Sequence, residues 1–226
     1  MKTKSNFTKL IILFGTIALL LGGPLSAYAE SDLPLTIRVR GLGVLTDVDS
    51  DPIKPLLEGE ANVDNSVGAE IDFTYFFTEN IASELVLGVA QHNVSARDTN
   101  IGAVLGTEQK DFDLGDVWLI PPTLTLQYHF LPDGKIRPYA GAGLNYTIFF
   151  EENEGLFVSD TSYDNSFGYA LQAGVDIGIT EKFAFNIDLK KLYLETEAEV
   201  KALGETFKTD VDIDPWLLGF GIAYRF

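Results

Sequence analysis

The last thirteen residues of the chain, residues 214–226, alternate between large apolar side chains and small or charged ones. The even positions hold the large side chains, which are Trp216, Leu218, Phe220, Ile222, Tyr224 and Phe226. After Leu217, the odd positions hold Gly219, Gly221, Ala223 and Arg225. Alternation with a period of two residues is typical of a β-strand. A strand that is bulky and apolar on one face and slim on the other fits a narrow barrel whose outer surface contacts lipid.

The beginning of the chain has the pattern of an export signal. A basic start precedes an apolar segment, residues 10–21, that is too short to span a bilayer. Small residues at Ala27 and Ala29 match the positions that a signal peptidase reads, so we predict a signal peptide over residues 1–29 and cleavage before Glu30. An uncleaved membrane anchor is the alternative, but no long stop-transfer segment follows.

Charge and composition narrow the class of the remaining chain. From Glu30 onward, 13 Lys and Arg face 33 Asp and Glu, a net charge of −20 that argues against a nucleic-acid partner. Cysteine is absent, so the fold relies on hydrogen bonds and packing. No segment after residue 29 is long and apolar enough to predict a transmembrane helix. The chain is therefore predicted to be periplasmic, secreted or a membrane β-barrel, and counting strands separates these classes.

Eight segments carry the two-residue alternation and are separated by turn-forming residues. Their approximate bounds are 35–45, 66–77, 81–91, 117–130, 136–150, 166–179, 183–195 and 214–226. Connections after the second, fourth and sixth segments have three to five residues, whereas the other four have 15 to 25. Short periplasmic turns alternating with long outer loops are typical of outer-membrane barrels. We predict an all-β fold for residues 30–226: an eight-stranded antiparallel up-and-down transmembrane β-barrel with both termini in the periplasm.

A soluble lipocalin-type barrel is the main alternative, but it would place its apolar residues inside, around a ligand. Here the bulky apolar face is almost continuous, and aromatic residues gather near both ends of the predicted strands, as in the two girdles of a membrane barrel. The inner set comprises Tyr75, Phe77, Tyr128, Phe130, Phe183, Tyr224 and Phe226, and the outer set Trp118, Phe149, Phe150, Phe167, Tyr169, Tyr193 and Trp216. Lys191 interrupts the outward face, and we expect it at the upper rim, near lipid phosphates.

Several stretches of the chain resemble the outer-membrane protein W (OmpW) family. They are PPTL at 121–124, QY at 127–128, RPYAGAGLNY at 137–146, FF at 149–150, QAGVD at 172–176, DPW at 214–216 and YRF at 224–226, with NI at 80–81 and EL at 84–85. They follow one another in order from the second predicted strand to the eighth, whereas the long loops match poorly. The resemblance implies an eight-stranded barrel in the Gram-negative outer membrane, and passage of small hydrophobic molecules.

An eight-stranded barrel is just wide enough to hold side chains or one small ligand, which excludes a wide aqueous pore. Inward positions near the periplasm carry charges of both signs, and we expect these to form ion pairs that fill the lumen. This predicted floor consists of Arg38, Glu70, Asp72, Glu84, Arg137, Asp176, Asp188 and Arg225. Toward the outside the inward residues are less polar, and the predicted upper lumen includes Leu42, Val44, Leu119, Leu192, Leu194 and Leu217.

A charged floor would stop an apolar solute from passing straight down, so such a solute needs a side exit. Pro121 and Pro122 lie in the outer half of the fourth predicted strand and donate no backbone hydrogen bonds. One hypothesis is a weakened seam through which the solute passes laterally into lipid. The alternative is a bulge that only bends the wall.

Two other classes of function compete with a passage. An enzyme needs a nucleophile or base with partners in reach, and although His92 forms a loop cluster with Ser95 and Asp98, such residues are common in polar loops, so we predict no catalysis. A receptor or scaffold would bind through acidic outer loops at residues 47–51 and 151–154, whose spacing is not that of an EF-hand. We predict no cofactor or metal. The expected partners are outer-membrane lipid and lipopolysaccharide, a small hydrophobic solute, and the barrel-assembly machinery through the C-terminal strand.

Overall fold

The regular secondary structure of the described residues is entirely β. The structure, a computed structural model, describes residues 34–50, 60–97, 111–154, 158–202 and 205–226. The predicted signal peptide, residues 1–29, lies outside the described residues. Within the described ranges, no helix is long and apolar enough to cross a membrane.

Thirteen strands follow one another along the described chain. They are β1 Leu35–Leu45, β2 Val48–Ser50, β3 Glu60–Val63, β4 Ser66–Phe76, β5 Ile81–Arg97, β6 Phe112–Ile120, β7 Thr123–His129, β8 Ile136–Glu154, β9 Val158–Tyr163, β10 Ser166–Gly178, β11 Phe183–Ala202, β12 Glu205–Ile213 and β13 Trp216–Arg225.

Eight antiparallel barrel strands, here called staves because one of them consists of two shorter strands, close into a ring. Their order is β1, β4, β5, then β6 continued by β7, then β8, β10, β11 and β13, and β13 pairs back with β1. β6 and β7 form one stave because both pair with β5 on one side and β8 on the other. Each stave therefore lies beside its neighbours in the chain, which confirms the predicted eight-stranded up-and-down barrel.

Alternate side chains of each stave point into the lumen or away from the barrel. In β13, Leu217 and Ala223 are buried, whereas Phe220 and Ile222 between them are 48% and 45% exposed. On other staves Leu126 is 61% exposed and Phe167 65% exposed. The bulky apolar residues thus cover the outside of the barrel and the polar residues lie inside, opposite to the arrangement of a soluble barrel.

Aromatic side chains pack against one another at the end of the barrel that carries the short turns. Edge-to-face pairs join Tyr75 to Phe77, with ring centroids 5.4 Å apart, and Tyr224 to both Phe183 and Phe226, at 5.0 and 4.8 Å. This arrangement confirms the predicted inner girdle, since such pairs place amphipathic rings side by side at one depth.

Lys191 lies at the opposite end, at the predicted rim, where the structure adds contacts within the protein. Its side chain is buried between two aromatic rings of the outer girdle, with Nζ 5.3 Å from the Trp216 ring centre and 5.6 Å from that of Tyr193. Its Nζ also donates a hydrogen bond to the backbone oxygen of Asp214 at 2.6 Å. The ammonium group is therefore engaged by the protein, through cation–π contacts and a carbonyl.

Two differences from the predicted strands have clear physical causes. Four staves are longer than predicted, namely β5, β6 with β7, β8 and β11, and β2, β3, β9 and β12 were not predicted at all. Beyond the lipid-facing part of the barrel, both faces of a hairpin contact water. The backbone hydrogen bonds continue there, but the side chains no longer alternate between apolar and polar, so the sequence pattern does not indicate a strand. The fourth predicted strand is split into β6 and β7, because Pro121 and Pro122 cannot donate to a ladder.

Candidate functional site

The floor of the lumen is a network of buried ion pairs. The Arg38 side chain is fully buried, and its Nη1 donates to Glu84 Oε2 at 2.7 Å and to the hydroxyl of Thr74. Its Nη2 and Nε bind the two oxygens of Asp176 at 2.7 and 3.2 Å, a bidentate arrangement. Arg38 therefore ties β1 to staves on both sides of the lumen, and charge-assisted bidentate bonds of this kind are among the strongest in proteins.

A second arginine, Arg40, lies one pleat further from the short turns and contacts four carboxylates. Its nitrogens are 2.6 Å from oxygens of both Glu70 and Asp72, 3.2 Å from Asp188 and 3.4 Å from Glu84. The side chains of all five residues are at most 1% exposed. Charges removed from water in this way are tolerated only when they are paired, so Arg40 is the central cation of the floor.

Lys190 and Tyr139 complete the network. Lys190 Nζ lies 2.7 Å from both Glu70 Oε1 and Asp188 Oδ1, and the Tyr139 hydroxyl donates to Asp188 Oδ2 at 2.7 Å. Gln172 Nε2 donates to Glu84 Oε1 and Asp188 Oδ2, each at 2.8 Å. Three cations thus face five carboxylates, and their side chains fill the barrel at this level.

The structure brings six of the eight predicted floor residues into this network: Arg38, Glu70, Asp72, Glu84, Asp176 and Asp188. Arg137 and Arg225 are not part of it. Arg137 is half-buried and bonds to the backbone oxygen of Gly134 at 3.4 Å, and Arg225 is exposed, with its guanidinium 5.6 Å from the centre of the Phe76 ring. Neither forms an ion pair with a carboxylate among the described residues. Both lie nearer the short turns, at the mouth of the lumen.

Sequence reasoning missed Lys190 and did not include Arg40 in the floor. The signal for Lys190 was present in β11, where Ala184, Asn186, Asp188, Lys190 and Leu192 share the inward face and are all buried. Arg40 lies on the same inward face of β1 as Arg38, but its four carboxylate partners come from three different staves. Strand periodicity alone does not show which staves meet across a lumen.

Above the floor the lumen becomes apolar. Six buried residues of the cluster there come from β1, β5, β10, β11 and β13, and they are Leu42, Val44, Ala90, Ala170, Leu192 and Leu217. Leu194 belongs to the same cluster and Leu119 packs against it, so all six predicted upper-lumen residues lie together. They line a cavity of about 60 Å³, whose lower end is formed by Glu70 and Lys190. The cavity is narrow and apolar, and it ends on the charged floor.

The wall beside this cavity is interrupted at the two prolines. Leu119 pairs with Ala90 and Thr123 with Val86, but among the described residues no ladder pair joins residues 120–122 to residues 87–89 of β5. On the other side the Tyr146 amide still donates to the Pro122 oxygen at 2.9 Å. The gap therefore lies between β5 and the split stave.

The cavity extends to this gap. Pro121 lines it, and so does Val89, which faces outward on β5 and is 37% exposed. An otherwise lumenal cavity thus includes one residue of the lipid-facing surface. Pro121 and Pro122 are themselves buried, and their oxygens accept bonds from Asn145 Nδ2 at 3.3 and 3.4 Å, so the break is a defined structural feature.

His92 is the histidine of the loop cluster considered for catalysis. His92 faces inward and is buried, 3.1 Å from Ser66 Oγ through Nε2 and 2.9 Å from the Asp64 backbone oxygen through Nδ1. Ser95 lies on the opposite face of β5 from His92, and Asp98 lies outside the described residues. Among the described residues no group of three or more His, Asp or Glu is placed to hold a metal ion.

A closed ring of eight antiparallel staves, bulky apolar residues outside, aromatic girdles and short turns at one end define an outer-membrane β-barrel. The chain belongs to the OmpW family, whose sequence model matches residues 35–226. It is 44% identical over 195 residues to the uncharacterized outer-membrane protein y4mB of Sinorhizobium fredii, covering 85% of this chain and 80% of that protein. It is 32% identical to outer membrane protein W of Vibrio cholerae, covering 93% and 95% of the two chains.

The fold is also that of a solved structure. The crystal structure of the outer membrane protein OprG from Pseudomonas aeruginosa matches with a TM-score of 0.76 and 28% identity, covering 87% of this chain and 98% of that one. Family and fold together place the chain in the outer membrane.

Proposed function

We propose that this barrel is a narrow passage for small hydrophobic molecules across the outer membrane. The observation that supports this most directly is the apolar cavity in the upper lumen, which is lined by Leu42, Leu192 and Leu217 and ends below on Glu70 and Lys190. An apolar solute gains by leaving water for such a site. The resemblance to the OmpW family points to the same class of solute.

The charged floor limits the route that an apolar solute can take out of the cavity. A solute that reached Glu70 and Lys190 would have to displace ion pairs with N–O distances of about 2.6–2.7 Å, and an unpaired charge left in a narrow lumen costs several kcal/mol. The gap between β5 and Pro121–Pro122 offers a path without that cost, because it leads from the cavity to the lipid-facing side chain of Val89. We propose lateral exit at this seam.

The lateral exit is tested by restoring the backbone N–H groups that the two prolines lack. Pro121→Val combined with Pro122→Thr allows a continuous ladder, and Pro138→Val, a change at a proline within the β8 ladder, is the matched control. Uptake of an apolar fluorescent tracer by cells is expected to fall in the double variant and to remain at the parental rate in the control. Unchanged uptake at normal barrel levels would show that the solute does not leave through the seam.

A separate measurement tests the passage itself. Liposome swelling and single-channel recording with the refolded barrel compare apolar and small polar solutes side by side. Permeation of apolar solutes with little ionic conductance supports a hydrophobic passage. Failure of both activities would favour a receptor or scaffold that binds through its acidic outer loops.

The proposal has further parts, which rest on the resemblance to other outer-membrane barrels. Both chain ends and the short turns lie on the periplasmic side, as in other outer-membrane barrels. The lipid-facing surface contacts outer-membrane lipid and lipopolysaccharide, and the C-terminal strand is the segment offered to the barrel-assembly machinery. The barrel acts without catalysis and without a cofactor.

A further inference from the structure

The periplasmic mouth of the lumen contains a small cavity with an excess of positive charge. Its lining includes Arg137, Lys182 and Arg225. In a chain with 33 acids and 16 bases, none of these three cations forms an ion pair with a carboxylate among the described residues. The turn acids Glu79, Asp133 and Glu181 do not line the cavity; all three are exposed.

The one carboxylate in the cavity, that of Asp176, already accepts three hydrogen bonds from the floor. Arg38 binds both of its oxygens, at 2.7 and 3.2 Å, and Asn186 Nδ2 donates to Oδ1 at 2.7 Å. Asp176 therefore has few lone pairs left for a direct bond to Arg137 or Arg225, although it attracts the Arg137 guanidinium through space. Among the described residues, the guanidinium of Arg137 makes one long bond, to the Gly134 oxygen at 3.4 Å, and so retains N–H donors for a ligand.

A second feature of the cavity points to a ligand independently of the charges. The Thr36 side chain is 95% buried (5% exposed), it lines the cavity, and its hydroxyl has no hydrogen-bond partner among the described residues. Its oxygen is not one of the fully enclosed polar atoms without a partner, so the hydroxyl is reachable from the cavity. The free hydroxyl is therefore a donor positioned beside an excess of cations.

We propose that the periplasmic mouth binds one oxyanion group, of the carboxylate or phosphate type, presented from the periplasm. Arg137 and Arg225 supply the charge, and Thr36 donates a hydrogen bond. The cavity has a volume of about 10 Å³, room for about one water-sized group, so only the oxygens of the anion enter and the rest of the ligand stays outside. The same chemistry is offered by a free small anion and by the phosphodiester of an inner-leaflet phospholipid.

The test uses the refolded full chain in uncharged detergent micelles, with inorganic phosphate as the probe and chloride at equal ionic strength as the reference. Backbone amide signals of Thr36, Phe76 and Ala184 are followed by NMR. We expect saturable shifts with phosphate and not with chloride. Arg137→Gln and, separately, Arg225→Gln are expected to weaken phosphate binding by about tenfold, the effect of losing one charge-assisted bond.

The matched control is Lys135→Gln, which removes an exposed cation from the same turn without touching the cavity. A second arm compares nanodiscs of phosphatidylcholine with nanodiscs that also contain phosphatidylglycerol. Saturable shifts with free phosphate assign the site to a soluble anion, and shifts confined to phosphatidylglycerol assign it to a lipid headgroup. Shifts that are absent in both arms, or that are equal in Lys135→Gln and the two arginine variants, would overturn the proposal.

Discussion

Tyr139 and Gly174 face each other across the β8–β10 ladder, and the tyrosine ring occupies the space that a Cβ at position 174 would need. The same Cβ would lie 2.9 Å from Asp188 Oδ2, the acceptor of the Tyr139 hydroxyl. The absence of a side chain at Gly174 is thus what allows a buried tyrosine to lie in the lumen and bond to the floor.

Gly174→Ala is therefore expected to displace the Tyr139 ring and to lower the free energy of unfolding by about 1–3 kcal/mol, as overpacking does elsewhere. Urea unfolding of the refolded barrel in micelles measures the effect. Gly41→Ala is the control, because a Cβ there has no atom within 4 Å, and it should change the free energy of unfolding by less than about 0.5 kcal/mol. Equal effects of the two substitutions would show that the ring adjusts freely.

Removing the central cation of the floor should be more severe. Arg40→Met leaves the buried Asp72 without a cation and leaves Glu70 and Asp188 to share Lys190, and the expected loss is about 3–5 kcal/mol. The control is Arg97→Met, which breaks an ion pair with Asp64 whose side chains are both 53% exposed; the expected change is below about 1 kcal/mol. The same urea titration compares them, and a loss for Arg40→Met no larger than for Arg97→Met contradicts the assignment of the floor.

Filling the upper cavity tests its role in uptake. Ala90 lines the cavity of about 60 Å³ from β5, and Ala90→Phe is expected to occupy it and bring uptake of an apolar tracer down to the level of cells without the barrel. Ala69→Phe adds the same ring on the outward face of β4, where it meets lipid, and should leave uptake unchanged. If Ala90→Phe cells take up the tracer at the parental rate, the solute does not pass through this cavity.

The two-residue alternation was sufficient to predict the barrel, because the lipid outside selects residue type at every second position. It placed Leu217 inside and Phe220 outside correctly. It did not predict contacts across the lumen, such as that between Arg38 and Asp176, which are 138 residues apart. Such contacts depend on how far the strands tilt and shift when the ring closes. The pattern of a single strand contains no information on this stagger between neighbouring strands, which is called the shear of the barrel.

The mouth of the lumen illustrates the same limit. Arg137 and Arg225 were predicted to point inward, which the positions of the side chains bear out, but their expected partners lie deeper and are taken by Arg38 and Arg40. Whether an inward charge finds a partner depends on its depth along the stave and on competition among cations. Both are properties of the assembled network rather than of one strand.

The pairing of β1 with β13 joins residues from opposite ends of the chain, from Thr36 with Arg225 to Leu45 with Trp216. β13 also supplies the second edge of β11, so before the last strand is in place two staves have unpaired peptide groups facing hydrocarbon, each at a cost of several kcal/mol. Pairing of β13 with both β1 and β11 removes the two edges together, so we expect membrane insertion and ring closure to be coupled.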